Sequence, residues 1–238
     1  MAKIIEIKGN IFNSTCQTIV NTVNCQGFMG KGIALEFKNR YPDMFLIYKA
    51  HCDDGKYMPG KLFLWTKSNP WILNFPTKDN WRFPSRIDYI VSGLKKFAQT
   101  YKEKCITSIA FPQLGTSNGG LDWKIVKEVM FKYLSPLDNL EIEIYEFDPK
   151  ATDELFTQMI QIFGRFQPND FKNKVSLKTP QANKLFNAFQ SNNLHSIYDI
   201  QNIPGIGEIT LEQLYKFVNS SKGKRILTSS EENPGFVF

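Results

Sequence analysis

Apolar and polar positions follow two rhythms over residues 1–149. Period-two alternation or short apolar runs mark strands at residues 4–7, 18–23, 61–66, 71–75, 108–112 and 141–147. Between them, apolar residues spaced by three and four predict helices over 31–37, 42–52, 85–102 and 123–134. Turn signals such as Asp54-Gly55 and Asn118-Gly119-Gly120 separate the elements. The alternation implies an α/β fold, a mixed and mostly parallel six-stranded sheet with helices on both faces.

From Lys150 the texture changes. Helical patterns fall at 153–163, 180–189, 197–200 and 208–218, joined by stretches rich in Asn, Gln and Ser, with no further strand signal. Three regions are therefore expected: an α/β domain over 1–149, a small all-α region over 150–219, and a polar, flexible tail over 220–238.

Composition narrows the function classes. At 238 residues the chain can hold one well-cored domain and an appendage. Four cysteines lack any Cys-x-x-Cys spacing and only two histidines occur, so no metal site, no cofactor and no disulfide framework are expected. With no apolar run approaching the roughly 18 residues of a membrane span, the expected compartment is the cytoplasm. The formal charge of +6 is compatible with a polyanionic partner without requiring one.

The chemistry is concentrated in residues 19–37. An apolar strand carries Asn21 and Asn24 at its end, and a loop with Gly27, Gly30 and Gly32 leads into a helix. Backbone N–H groups of such a loop can approach a diphosphate at a helix N-terminus. A P-loop is excluded because Gly30-Lys31 is followed by Gly32 and not by Ser or Thr. The dinucleotide fingerprint is excluded because Leu35 stands where its last glycine belongs. A tight turn whose glycines only supply positive φ explains the glycines equally well. The two asparagines favour a ligand, since Asn is a poor strand former and ligands bind at the carboxyl ends of open α/β sheets.

Together these residues resemble a macrodomain, the ADP-ribose-binding three-layer α/β/α fold. The resemblance rests on Gly9-Asn10-Ile11 after the first strand, Asn21, Asn24 and Cys25 at the second, the Met29 to Ala34 loop, and Leu114-Gly115 followed by Gly119-Gly120-Leu121-Asp122-Trp123. Within that family, Asn24-Cys25, the Met29 to Leu35 stretch and Asn74-Phe75-Pro76-Thr77-Lys78 resemble the DarG branch, which removes ADP-ribose from DNA bases, and its relative, the terminal ADP-ribose glycohydrolase.

The resemblance implies roles. Gly9, Asn10 and Ile11 would lie at the adenine, Asn10 standing where many members carry Asp. Asn21 and Asn24 would lie in the ligand crevice, Asn24 near the distal ribose. The backbone of Gly30, Lys31, Gly32, Ile33 and Ala34 would wrap the diphosphate and that ribose. Leu114, Gly115, Thr116, Ser117, Asn118, Gly119 and Gly120 would form a second phosphate loop, with Thr77 beside it. Phe28 would flank the distal ribose and Phe147 the adenine. Lys78 is the expected catalytic residue, because a lysine in a partly desolvated cleft titrates low enough to act as a nucleophile. The expected activity is hydrolysis of the glycosidic bond between mono-ADP-ribose and a nucleobase, opposing a DNA-modifying ADP-ribosyltransferase toxin. The alternatives are a non-catalytic reader of ADP-ribose or another NAD-derived nucleotide, and a hydrolase of a different ADP-ribose conjugate.

Two departures bear on this. The terminal ADP-ribose glycohydrolase has an aspartate where this chain has Gly119, which favours the DNA-directed branch, and Thr116-Ser117 replace a more usual Cys-Gly. Asp122 reads as a helix cap. For nucleic acid, Trp81, Arg82 and Arg86 suit a stacked base and a phosphate. Ile203-Pro204-Gly205-Ile206-Gly207 resembles a helix-hairpin-helix element, with Gly205 and Gly207 turning N–H groups toward a phosphate.

Overall fold

Central strands of this chain are apolar on both faces, and that requires helices on both sides of the sheet. The structure, a computed structural model, describes residues 1–191 and 193–231. It divides into two units, Met1–Asp148 and Pro149–Phe238.

In the first unit, strands β1 (Lys3–Gly9), β2 (Thr18–Val23), β3 (Phe63–Trp65), β4 (Trp71–Pro76), β5 (Ser108–Pro112) and β6 (Glu141–Phe147) form one sheet in the order β1-β6-β5-β2-β4-β3. All pairings are parallel except that of β3 with β4. Helices α1 (Gly32–Arg40) and α2 (Pro42–Asp53) cover one face; α3 (Ile87–Thr100) and α4 (Trp123–Leu134) cover the other. Strand parity sorts the core. Val20, Leu73, Phe75, Ile109 and Phe111 meet Ile90, Leu94, Val126 and Met130, whereas Ile19, Val23, Ile72 and Ala110 meet Phe37, Met44 and Tyr48. This is the expected three-layer, mostly parallel architecture.

Topology places the site. From β2 the chain passes through α1 and α2 to β3 and β4 on one side, and from β5 it passes through α4 to β6 on the other. Ligands of such sheets bind where neighbouring strands lead away in opposite directions. Here β2 and β5 pair only at Thr18↔Ile109 and Ile19↔Ala110, so they part before their carboxyl ends.

The second unit contains α5 (Glu154–Phe163), α6 (Pro168–Lys174), α7 (Thr179–Gln190), α8 (Ile197–Gln201), α9 (Glu208–Asn219) and α10 (Ser221–Glu231). Its core is aromatic: the Phe163 ring lies 5.4–5.9 Å from those of Phe166, Phe171, Phe189 and Phe217. Helix α6 was not foreseen. It begins at a proline and carries a capping box of Gln167 and Asp170, burying Phe171. The expectation of a flexible tail from residue 220 is corrected over Ser221–Glu231, which is helical. The Ser220 hydroxyl accepts the Gly223 N–H at 3.2 Å, and the glycine lets this helix start tightly against the Phe217 and Val218 carbonyls. The remainder of that tail, 232–238, lies outside the described residues.

Candidate functional site

The first wall of the crevice is the loop from β2 to α1. Asn24 holds its shape: Nδ2 donates to the Phe28 carbonyl at 2.6 Å, and Oδ1 accepts the Gln26 and Phe28 N–H groups at 2.9 and 3.3 Å. Tyr48, buried on α2, donates its hydroxyl to the Asn24 carbonyl at 2.6 Å. Both polar atoms of Asn24 thus shape the turn, Nδ2 through one of its two N–H groups. Beyond it, α1 starts at Gly32 with no side-chain cap, and the N–H groups of Gly30 through Ala34 donate to no protein acceptor among the described residues. Five donors therefore remain at the positive end of a helix, a setting suited to a phosphate.

Asn21 differs from expectation. Its side chain is fully buried and donates to Oδ1 of Asn74, its register partner on β4, at 2.9 Å. Asn74 in turn donates toward Met44 Sδ at 3.3 Å. The pleat decides this: Asn21 points with Ile19 and Val23 to the face that α2 covers, so it serves the core rather than the crevice. The Cys25 thiol, pushed up to about 12 by burial and then by the Asp79 carboxylate and Cys52, is no nucleophile.

The second wall is the loop from β5 to α4. The Leu114 side chain is core, leaving only its backbone to the site. Gly115 adopts φ 69° and accepts the Leu121 N–H at 3.0 Å, while Thr116 accepts that of Gly120 at 2.9 Å. The N–H groups of Ser117, Asn118 and Gly119 have no protein acceptor among the described residues. Gly119 has no room for any side chain: a methyl there would overlap the Gly115 carbonyl and the Ser85 hydroxyl. The missing carboxylate at this position is thus barred sterically. Asp122 caps α4 as expected, accepting the Lys124 N–H at 2.7 Å. The two walls meet at Gly32, where a methyl would stand 2.5 Å from Nδ2 of Asn118.

Lys78 stands between them. Thr77, buried, is tied to β2 by its N–H to the Val23 carbonyl at 2.9 Å, and the next residue projects from the sheet edge. Nζ of Lys78 donates to the Asn118 carbonyl at 2.7 Å. Partial burial lowers its pKa below the ordinary lysine value, raising the share of neutral amine.

At the far end, Gly9 and Phe147 are register partners at the ends of β1 and β6, with Phe147 half exposed. Asn10 Oδ1 accepts the Phe12 N–H at 3.0 Å to cap the turn Ile11–Asn13, and the Ile11 side chain is buried. At the near end, the Phe28 ring meets Trp81 at 5.6 Å. Arg82 lies over Trp81 at 5.1 Å. Arg86 is committed to Asp88 through two bonds of 3.0 Å, which its place before α3 and the acid two residues on could have revealed. Sequence reasoning missed Ser85 and Tyr48, whose roles depend on contacts distant along the chain.

The family model of the Macro domain matches residues 20–130. The solved macrodomain of Mycobacterium tuberculosis DarG is 41% identical, covers 61% of this chain and 98% of its own, and superposes with a TM-score of 0.59. The chain belongs to the macrodomain family. This macrodomain is also 33% identical to Thermosipho africanus DarTG, solved in complex with ADP-ribose (TM-score 0.58; 62% of this chain, 42% of that one). Among curated proteins it is 40% identical over 151 residues to the DNA ADP-ribosyl glycohydrolase of Thermus aquaticus, an overlap of 61% of this chain and 42% of that protein. The macrodomain chain thus spans about two fifths of the curated relatives it matches.

In the second unit, the 203–207 hairpin joins α8 to α9. Gly205 takes φ 84° behind Pro204, the Ile206 N–H returns to the Ile203 carbonyl at 2.9 Å, and Lys184 donates to the Pro204 carbonyl. Gly207 begins α9 without a side-chain cap. Among the described residues there is no cluster of metal-ligating side chains and no helix long and apolar enough to cross a membrane.

Proposed function

We propose that this chain is an ADP-ribosyl glycohydrolase that removes mono-ADP-ribose from DNA bases, with Lys78 as the catalytic residue. One observation carries the reading: an amine of lowered pKa at the parallel sheet's carboxyl edge, held by the carbonyl of a loop whose N–H groups are unspent. Curated relatives 40–42% identical over aligned stretches of 141–151 residues bear the name DNA ADP-ribosyl glycohydrolase, and one relative fuses the transferase to the glycohydrolase. That supports pairing with a DNA ADP-ribosyltransferase as antitoxin to toxin.

In the proposed reaction, the two rows of N–H donors hold the diphosphate and fix the distal ribose. The neutral Lys78 amine engages its anomeric carbon, directly or through the ring-opened aldehyde. The carbon–nitrogen bond to the base breaks with its electron pair going to the base, which takes up a proton, and water then releases the sugar from lysine. The test is incubation of purified protein with ADP-ribosylated thymidine and guanosine oligonucleotides beside ADP-ribosylated protein. Release from DNA, loss of turnover in Lys78→Ala with ADP-ribose affinity retained, and borohydride trapping of a covalent adduct are the expected results. Full activity of Lys78→Ala ends the catalytic role of Lys78, and no release from DNA by the unaltered protein ends the glycohydrolase reading.

A further inference from the structure

We infer that Phe28 and Trp81 together seat the nucleobase that leaves the distal ribose, so that the protein selects base-linked ADP-ribose by recognising its leaving group. The inference rests on the glycohydrolase reading of the Lys78 site.

Single exposed aromatics are commonplace, but these two are 56% and 45% exposed and in mutual contact, their planes tilted by 49°. They come from different loops that the fold brings together. Phe28 is carried on the turn that Asn24 clamps through both its N–H and its carbonyl. Trp81 follows Lys78 by three residues. The Cys25 N–H donates to the Asp79 carbonyl at 3.0 Å and staples one segment to the other. The rings therefore border the crevice on a fixed frame, at the end where the catalytic amine stands.

The chemistry of the patch fits one class of leaving group. Ring faces stack on a flat heteroaromatic base regardless of its identity. The Arg82 guanidinium, over Trp81 and without an acidic partner among the described residues, adds a cation suited to the phosphate next to that base. A glutamate ester offers neither a flat ring nor a flanking phosphate. Arg86 is not needed for this reading, its guanidinium being paired with Asp88.

The experiment uses the full chain carrying Phe28→Ala, Trp81→Ala, Trp81→Phe or Arg82→Ala. Steady-state hydrolysis of an ADP-ribosylated oligonucleotide is measured beside calorimetric titration with ADP-ribose. Each aromatic-to-alanine change should raise KM about tenfold, with kcat within about twofold, ADP-ribose Kd unchanged and Trp81→Phe restoring most of the loss. Arg82→Ala should flatten the salt dependence of KM. An unchanged KM, or a KM that rises in step with ADP-ribose Kd, overturns the inference. Should the unaltered protein release no ADP-ribose from DNA, the glycohydrolase reading fails on its own. Oligonucleotide anisotropy with the aromatic variants then still decides whether the rings hold a base, weakened binding supporting them and equal binding removing them.

Discussion

The amine of Lys78 is hydrogen-bonded at 2.7 Å to the carbonyl of Asn118, a residue forty positions further along the chain. The contact fixes the direction of the amine, and the carbonyl brings no full negative charge to it. Partial burial then lowers the lysine pKa.

That sets a pH dependence. If the neutral amine attacks, kcat rises with pH and the midpoint of the rise lies below the ordinary lysine value of about 10.4. Because the shift is downward, the charged form is held against its preference at neutral pH, and Lys78→Met should abolish turnover without lowering Tm. A pH–rate profile and a thermal melt check both. A flat profile would mean that Lys78 acts only as a fixed cation.

Gly119 yields a second expectation. A methyl there collides with the Gly115 carbonyl and Ser85, whereas one on Gly120 meets open space and only the strain of φ 75°. Gly119→Asp should therefore not create an acid catalyst. It should cost about 1–3 kcal/mol of stability and abolish ADP-ribose binding, with Gly120→Ala the milder change. Denaturant unfolding and calorimetry give the comparison.

Asn21 and Tyr48 separate core from site. Asn21→Ala strands the buried Asn74 Oδ1 and should cost about 1–3 kcal/mol while leaving ADP-ribose affinity in the folded protein unchanged. Tyr48→Phe removes the buried bond that anchors Asn24 and should weaken ADP-ribose binding severalfold besides costing about 1 kcal/mol of stability. Equal behaviour of the two variants in a titration would contradict this division.

In the second unit, an acidic pair, Gly205→Asp with Gly207→Glu, should weaken oligonucleotide binding and reduce its salt slope if the hairpin meets phosphates. Gly205→Asp also strains φ 84°, so Gly207→Glu alone, at an open extended position, is the control for folding. An unchanged slope assigns the hairpin to packing.

The strands and the two loops were legible because apolar runs and glycines report directly on local backbone. The core identity of Asn21 was hidden because one residue of strand parity separates crevice from interior, and polarity alone points outward. An asparagine at a strand end suggests a ligand group, but the place of Asn24 four residues before Phe28 also lets it close a local turn with the same atoms. Helices α6 and α10 escaped because they are polar on most positions and depend on caps and on contacts with their own unit. The Phe28–Trp81 contact joins loops over fifty residues apart, and no spacing rule reaches that far.

The early separation of β2 from β5 has a further meaning. An opening made by diverging backbones owes little to the side chains at its rim. Substitutions along that rim can retune which conjugate is accepted while the cleft itself persists, much as a vise keeps its gap when its jaw plates are exchanged.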